Sequence, residues 1–244
     1  MKTPQPIRQA MILAAGKGTR MRPLTLTTPK PLVIVGTQPL IVWHILALQK
    51  IGITRVVVNV GWLGEKLVNT LGDGSKFGVE LVWSREDLLP LVAGQTQAEP
   101  LETAGGIRYA LGQGLLQDAP FILINGDVWT GFDLATVAQK TLNPNILAHL
   151  LLTDKAEHNP QGDFALAGEL VALDGVKKHT FAGISVLSPC LFDGVALGET
   201  KALAPILKQV IANKQVTGEL MTADWVDVGT LERLDKLNQK LQKS

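Results

Sequence analysis

Short apolar, β-branched runs alternate with longer segments whose apolar positions recur at helical spacing through the first part of the chain. The runs Gln9–Ala14, Arg55–Val60, Val79–Ser84, Pro120–Asn125 and Ile146–Thr153 are too short for helices, and Gly, Pro or polar residues bound most of them. They predict strands buried on both faces. Between them, Pro39–Lys50, Trp62–Leu71, Glu102–Leu111 and Phe132–Thr141 predict helices, with Pro39 opening the first and Gly52 and Gly72 closing the first two. This alternation predicts an α/β fold: a Rossmann-like, doubly wound, mostly parallel sheet with right-handed crossovers, whose ligands sit at the carboxyl ends of the strands.

The second half changes character. Shorter alternating segments around Phe164–Leu173 and Thr180–Leu187 predict a small antiparallel flap added to the core. A helix at Lys201–Ala212, a strand at Asp224–Val228 and a final helix at Leu231–Leu241 follow. No repeat of 20–50 residues appears. Arg85–Pro100, with Gly94, Gln95 and Gln97, reads as a long mobile loop. We read residues 1–244 as one domain, with 1–8 as a flexible extension.

Composition narrows the function classes. The chain has 244 residues, 46% of them hydrophobic, and one Cys, which excludes a disulfide-stapled scaffold and a disordered tail. A formal net charge of +1 argues against general nucleic-acid or anionic-membrane binding, so any basic residues that matter must be clustered. No apolar run approaches the roughly 20 residues that span a bilayer. Ala10–Ala15 is short for a signal peptide and is followed by Lys17, Arg20 and Arg22, so a cytoplasmic protein is expected. Cys190, among apolar neighbours, is expected to be a buried thiol, and His44, inside an apolar helix pattern, a packed histidine rather than a catalyst.

The candidate chemistry starts after the first strand. Gly16-Lys17-Gly18 forms a turn whose backbone N–H groups can face a phosphate chain, and Lys17, Arg20, Arg22 and Lys30 gather cations beside it. The spacing is neither a Walker A loop nor a Rossmann dinucleotide fingerprint. A bare Gly-x-Gly turn is also compatible with a solvated loop. Asp127, in Asn125-Gly126-Asp127, ends one strand and Asp227, in Trp225-Val226-Asp227, ends another. A single Asp after a strand also fits a turn or helix cap.

Taken whole, Gly16-x-Gly18-Thr19-Arg20-Met21-x-Pro23-Leu24-Thr25 followed by Pro29-Lys30-Pro31 resembles the signature of the sugar-phosphate nucleotidyltransferases. The resemblance extends through Pro100–Gly106, Asn125–Asp127, Phe181–Ile184 and Trp225–Thr230. Within the family, Pro100–Thr103, Asn125–Thr130, Gly162–Phe164 and Trp225–Arg233 together resemble the N-acetylmuramate α-1-phosphate uridylyltransferases of peptidoglycan recycling.

The resemblance implies UTP and N-acetylmuramic acid α-1-phosphate as substrates, with Mg²⁺ held by Asp127 and Asp227. It implies catalytic roles for Arg20, on the leaving pyrophosphate, for Lys30, bridging toward the α-phosphate and the attacking group, and for Asp127. Nucleotide binding is implied at Leu13, Ala14, Ala15, Gly16, Lys17, Gly18, Thr19, Arg20, Lys30, Gly105 and Asp127, and sugar-phosphate binding at Glu102, Thr103, Asn125, Asp163, Gly183 and Asp227. Many relatives carry Gly where Glu102 stands. The helix opening at Glu102 is expected to border the base and sugar with free N–H groups. A phosphate monoester is largely dianionic at neutral pH, its second pKa being about 6, so no general base is required.

One departure matters. Hexose-1-phosphate relatives often carry Glu-Lys-Pro before the Ala-Gly-Ile strand, whereas this chain reads Asp174-Gly175-Val176-Lys177-Lys178-His179, so that phosphate contact does not transfer and the Lys pair reads as a solvated face. Other sugar 1-phosphates (mannose, glucose, amino sugars) with GTP, dTTP or UTP remain alternatives, as does a non-catalytic nucleotide-sugar sensor. A monomer or weak homodimer is expected.

Overall fold

The computed structural model describes residues 7–90, 100–154 and 156–243. Residues 1–6 of the expected extension and 91–99 of the expected loop lie outside them. Ile7 is buried and its N–H donates to the Ala138 carbonyl, so the described end of the extension is anchored.

The elements follow in chain order. They are β1 (Ala10–Ala14), β2 (Ile34–Val35), β3 (Gln38–Pro39), α1 (Leu40–Lys50), β4 (Arg55–Val60), α2 (Gly64–Leu71), β5 (Glu80–Arg85), α3 (Glu102–Gly112), β6 (Phe121–Asn125), β7 (Val128–Thr130), α4 (Ala135–Ala138) and β8 (Ala148–Thr153). Then come β9 (Ala165–Ala167), β10 (Leu170–Ala172), β11 (Thr180–Leu187), α5 (Leu203–Ala212), β12 (Val216–Leu220), β13 (Trp225–Asp227) and α6 (Leu231–Leu241).

Nine strands form the main sheet in the order β5-β4-β1-β6-β11-β8-β12-β10-β9. β1 pairs in parallel with β4 and β6, β4 with β5, and β8 with β12, while β11 runs antiparallel between β6 and β8. The fold is therefore α/β with a large, mostly parallel central sheet. One apolar layer packs α1 and α2 against one face through Ile41, Ile45, Leu48 and Leu67, and a second packs α3 and α5 against the other through Ile107, Leu203 and Leu207. Burial on both faces explains why the strands read as continuous apolar runs rather than alternating ones.

Two expectations change. Thr180–Leu187 is no flap strand: it lies in the middle of the main sheet, and its run from Ala182 onward is buried on both sides. The antiparallel addition is instead the β9–β10 hairpin, joined through β10 to β12. Cys190 is exposed, because in the turn Pro189–Phe192 it is Leu191 and Phe192 that face inward. The helix expected over Phe132–Thr141 shortens to the single turn of α4.

A third apolar cluster lies apart from the main layers. Met21, Val33 and Leu40 pack there with Trp129 of β7, Val228 and α6 residues Leu234 and Leu237. It holds together segments that are remote in sequence and that border the strand ends carrying the candidate chemistry.

His44 of α1 is packed, as its pattern implied. Its ring lies 2.7 Å through Nε2 from the Val128 carbonyl, and burial pushes its pKa down to about 4. The folded state thus refuses a proton that the unfolded state accepts below about 6.5, so this contribution to stability is present above pH 6.5 and is lost as pH falls toward 4. Urea unfolding should register a loss of roughly 2–3 kcal/mol from this group between pH 7 and 4.5. His44→Gln, which retains an N–H donor, should flatten that part of the profile; an unchanged pH slope in the variant would remove His44 as its source.

Candidate active site

The loop after β1 is shaped by its own sequence. Gly18 sits at φ +60°, in the left-handed region that glycine enters without strain, and opens the 3₁₀ turn Thr19–Met21. Thr25 donates its hydroxyl to the Gly18 carbonyl at 2.8 Å, closing the loop on itself. Met21 is buried in the third cluster, which leaves Arg20 outward with a side chain 60% exposed. Pro29 and Pro31 flank Lys30, fixing the backbone on either side of it. Lys30 is consequently buried along its stem while its ammonium reaches Asp127 Oδ2 at 2.9 Å.

Asp127 comes to the same place along a different route. Gly126 donates its N–H to the Leu13 carbonyl, and a Cβ on it would lie 2.4 Å from that oxygen, so only glycine lets the end of β6 close onto the end of β1. β7 then pairs with β13, with Val128 opposite Asp227, and the Val228 N–H donates to the Asp127 carbonyl at 2.9 Å. Two aspartates 100 residues apart in the chain are thereby brought to one cavity.

Asp227 Oδ2 accepts from Arg233 Nη1 at 2.8 Å and lies 3.3 Å from His158 Nε2 and 3.9 Å from Arg20 Nη2. Thr230 caps α6 by accepting from the Arg233 N–H, which orients that arginine. His158 is stacked on Trp225, ring centroids 6.0 Å apart, and Trp225 donates its indole N–H to the Ala182 carbonyl. Asp227 Oδ1 is buried with no hydrogen-bond partner among the described residues. An unpartnered buried carboxylate oxygen beside a second carboxylate suits a hard divalent cation.

Around these groups lie connected cavities. The first, about 460 Å³, is walled by Leu13–Gly16, Gly18–Arg20, Lys30, Asn59, Glu86, Glu102, Thr103 and Asn125–Asp127. The second, about 400 Å³, contains both Asp127 and Asp227 together with His158, Asp163 and Gly183. Asn125 belongs to both, its side chain packed on Gly183. The floor of the first is a buried polar chain: Asn59 Oδ1 accepts from the Ala14 N–H, Asn59 Nδ2 donates to Glu86 Oε1 at 2.7 Å, and Glu86 Oε2 accepts from the Leu101 N–H. Burial pushes the Glu86 carboxyl above its ordinary range, against these two hydrogen bonds.

The structure brings most of the sequence-singled residues to these walls, but not all. Lys17 lines neither cavity. Gly105 does not reach the wall either: its N–H donates to the Lys201 carbonyl, and its Cα packs against the Glu199 carbonyl. The Ala104 N–H is taken by the same Lys201 oxygen, so these N–H groups of α3 are not free as expected. Lys177 and His179 both bind Asp154, and Lys178 binds Asp174, which makes the Lys pair a surface feature of the hairpin region. Trp129 and Trp225 are core residues.

Four participants were not singled out individually by sequence reasoning. Asn59 carried a signal, as a polar residue inside the apolar run Val56–Val60, and Arg233 stands in the Trp225–Arg233 string. Glu86 and His158 lie in segments whose sequence has no periodic or motif character.

The nucleotidyl transferase family model matches residues 9–162. The chain belongs to that family. Among its nucleotidyltransferase relatives, the N-acetylmuramate α-1-phosphate uridylyltransferase of Neisseria meningitidis serogroup B is 43% identical over 93% of this chain and 95% of its own length. The mannose-1-phosphate guanyltransferase of Yarrowia lipolytica is 30% identical over 91% of this chain, which spans only 60% of that protein. A Bacillus anthracis structure assigned as a glucose-1-phosphate thymidylyltransferase, in complex with sucrose, superposes with a TM-score of 0.78 at 20% identity, covering 97% of this chain and 96% of its own. The last likeness establishes the fold.

Glu102 carries a backbone mark of its own. It opens α3 at φ +58°, a conformation costly for any residue but glycine, and its side chain is exposed at the cavity wall. Glu102→Gly should therefore raise stability by about 1 kcal/mol, or about 2–4 °C in Tm for a chain of this size. A lower Tm would show that the carboxylate, not the backbone, governs that position.

Proposed function

We propose that this nucleotidyltransferase transfers the uridylyl group of UTP to N-acetylmuramic acid α-1-phosphate, forming UDP-N-acetylmuramic acid and pyrophosphate in peptidoglycan recycling. The observation that carries the chemistry is that the pairing of β7 with β13 brings Asp127 and Asp227 to one cavity, beside Lys30 and the Gly16–Arg20 loop. The choice of sugar and nucleotide is supported by the 43% identity, over nearly both full lengths, to the Neisseria uridylyltransferase. We read the chain as one catalytic domain working in the cytoplasm, as a monomer or weak homodimer.

In this reading an oxygen of the sugar phosphate forms a bond to the α-phosphorus of UTP as the bond from that phosphorus to the pyrophosphate oxygen breaks. Mg²⁺, held by Asp127 and Asp227, would withdraw charge from the phosphoryl group under attack. Two carboxylates would leave the rest of the ion's shell to water and substrate phosphate, as is common for Mg²⁺. Lys30, fixed between two prolines, neutralises the region between the α-phosphate and the incoming monoester. Arg20, outward and unburied, meets the departing pyrophosphate, where its planar fork can bind two oxygens. The backbone of Leu13–Thr19 borders the nucleotide, and Glu102, Thr103, Asn125, Asp163 and Gly183 border the sugar. No side chain needs to remove a proton from the nucleophile.

Asp127→Asn and Asp227→Asn should each lower turnover by several powers of ten while the far-ultraviolet circular dichroism stays native. Calorimetric titration of Mg²⁺ in the presence of UTP should weaken in both variants. Normal turnover in either would take that residue out of the metal site. The substrate claim is checked by pyrophosphate release over a grid of nucleoside triphosphates and sugar 1-phosphates. We expect kcat/KM with UTP to be higher for N-acetylmuramic acid α-1-phosphate than for the N-acetylglucosamine compound. A ratio at or below one, or faster transfer from GTP or dTTP, would overturn the substrate while leaving the reaction class intact.

A further inference from the structure

A third cavity, about 530 Å³, opens beside the sugar side of the site. It shares Thr103 and Asn125 with the first cavity, and Asn125, Asp163 and Phe181 with the one holding the two aspartates. Its far wall is α5, an amphipathic helix that buries Leu203, Leu207, Val210 and Ile211 and turns Lys208 outward to line the same cavity. Asp163 and Lys208 are the only charged side chains among the described residues that line it. The two are not equivalent. Asp163 is committed to the fold, accepting from the Phe181 N–H at 2.8 Å and from Asn159 Nδ2 at 3.0 Å. Lys208 has no ion-pair or hydrogen-bond partner among the described residues.

A neutral hexose has no charge to place beside Lys208: in the proposed reaction its only charge, the 1-phosphate, belongs at the metal site and Lys30. The 3-O-lactyl ether of N-acetylmuramic acid differs from N-acetylglucosamine by a methyl-bearing carbon and a carboxylate. Phe181, Leu203 and Leu207 offer the apolar surface for the first, and Lys208 a cation for the second. We propose that the cavity between α5 and Asn125 is the subsite for the lactyl group, with the Lys208 ammonium pairing its carboxylate. This inference deepens the proposed function and rests on it. It makes α5 a specificity element that stands outside the strand-end motifs and contributes nothing to the transfer step.

The test compares N-acetylmuramic acid and N-acetylglucosamine α-1-phosphates, with UTP, in the wild type, Lys208→Met and Lys208→Arg. Losing a charge-assisted contact should lower the ratio of kcat/KM between the two sugars about 10- to 100-fold in Lys208→Met, through a higher KM for the muramic compound. Lys208→Arg should recover most of the ratio. Titrating UDP-N-acetylmuramic acid and UDP-N-acetylglucosamine into the same proteins should reproduce the pattern without turnover. A preference unchanged within about twofold in Lys208→Met, or parallel losses for both sugars, overturns the subsite while the substrate assignment stands. A wild type that itself shows no preference for the muramic compound overturns the assignment, and the subsite with it.

Discussion

The pairing of β7 with β13, which brings Asp127 and Asp227 to one cavity, is the constraint around which the site is arranged. The register sets Val128 opposite Asp227, and the Val228 N–H donates to the Asp127 carbonyl, so the two aspartates stand at adjoining positions of one ribbon. Basic side chains reach these carboxylates from separate segments: Lys30 from the proline-braced turn, Arg233 from the first turn of α6, His158 from the segment before the hairpin, and Arg20 from the loop after β1. Each is held by an independent device, whether two prolines, a helix cap, a stacked tryptophan or a buried methionine. The third apolar cluster underlies several of these devices at once, which is why a region far from the main layers needs a core of its own.

How much of this was legible in the sequence depends on the length over which each feature repeats. Strands buried on both faces leave continuous apolar runs, so Arg55–Val60 is predicted with its observed bounds and the others within a residue or two. Helices framed by Pro and Gly are similarly plain. β7, three residues long, leaves no periodicity to read, and β13, expected as a strand at Asp224–Val228, comes without the partner that decides the geometry of the site. Their importance was visible only as motif strings whose contact is tertiary. The direction of β11 was equally hidden, because an apolar run records burial and not orientation.

The polar chain from Ala14 through Asn59 and Glu86 to Leu101 shows a second kind of illegibility. A glutamate in a turn after a strand reads as a surface residue, and only packing makes it the tie between β1, β4 and the start of α3. Lys208 is the reverse case. On sequence it is an unremarked cation on the polar face of an amphipathic helix, and what distinguishes it is the cavity that the opposite wall encloses.

The reversed strand β11 has a consequence for variation. β8 ends at Thr153 and β11 begins at Thr180, paired directly across from it, so the chain leaves and re-enters the sheet at the same rim. The segment between them carries His158 and Asp163 to the candidate site and adds the β9–β10 hairpin to the far edge of the same sheet, past β12. Change within it leaves the pairing of β1 with β4 and β6 and of β6 with β11 untouched, but reaches Asp227 through His158 and the sheet edge through β10, so the wall of the site and the support of its carboxylate vary together.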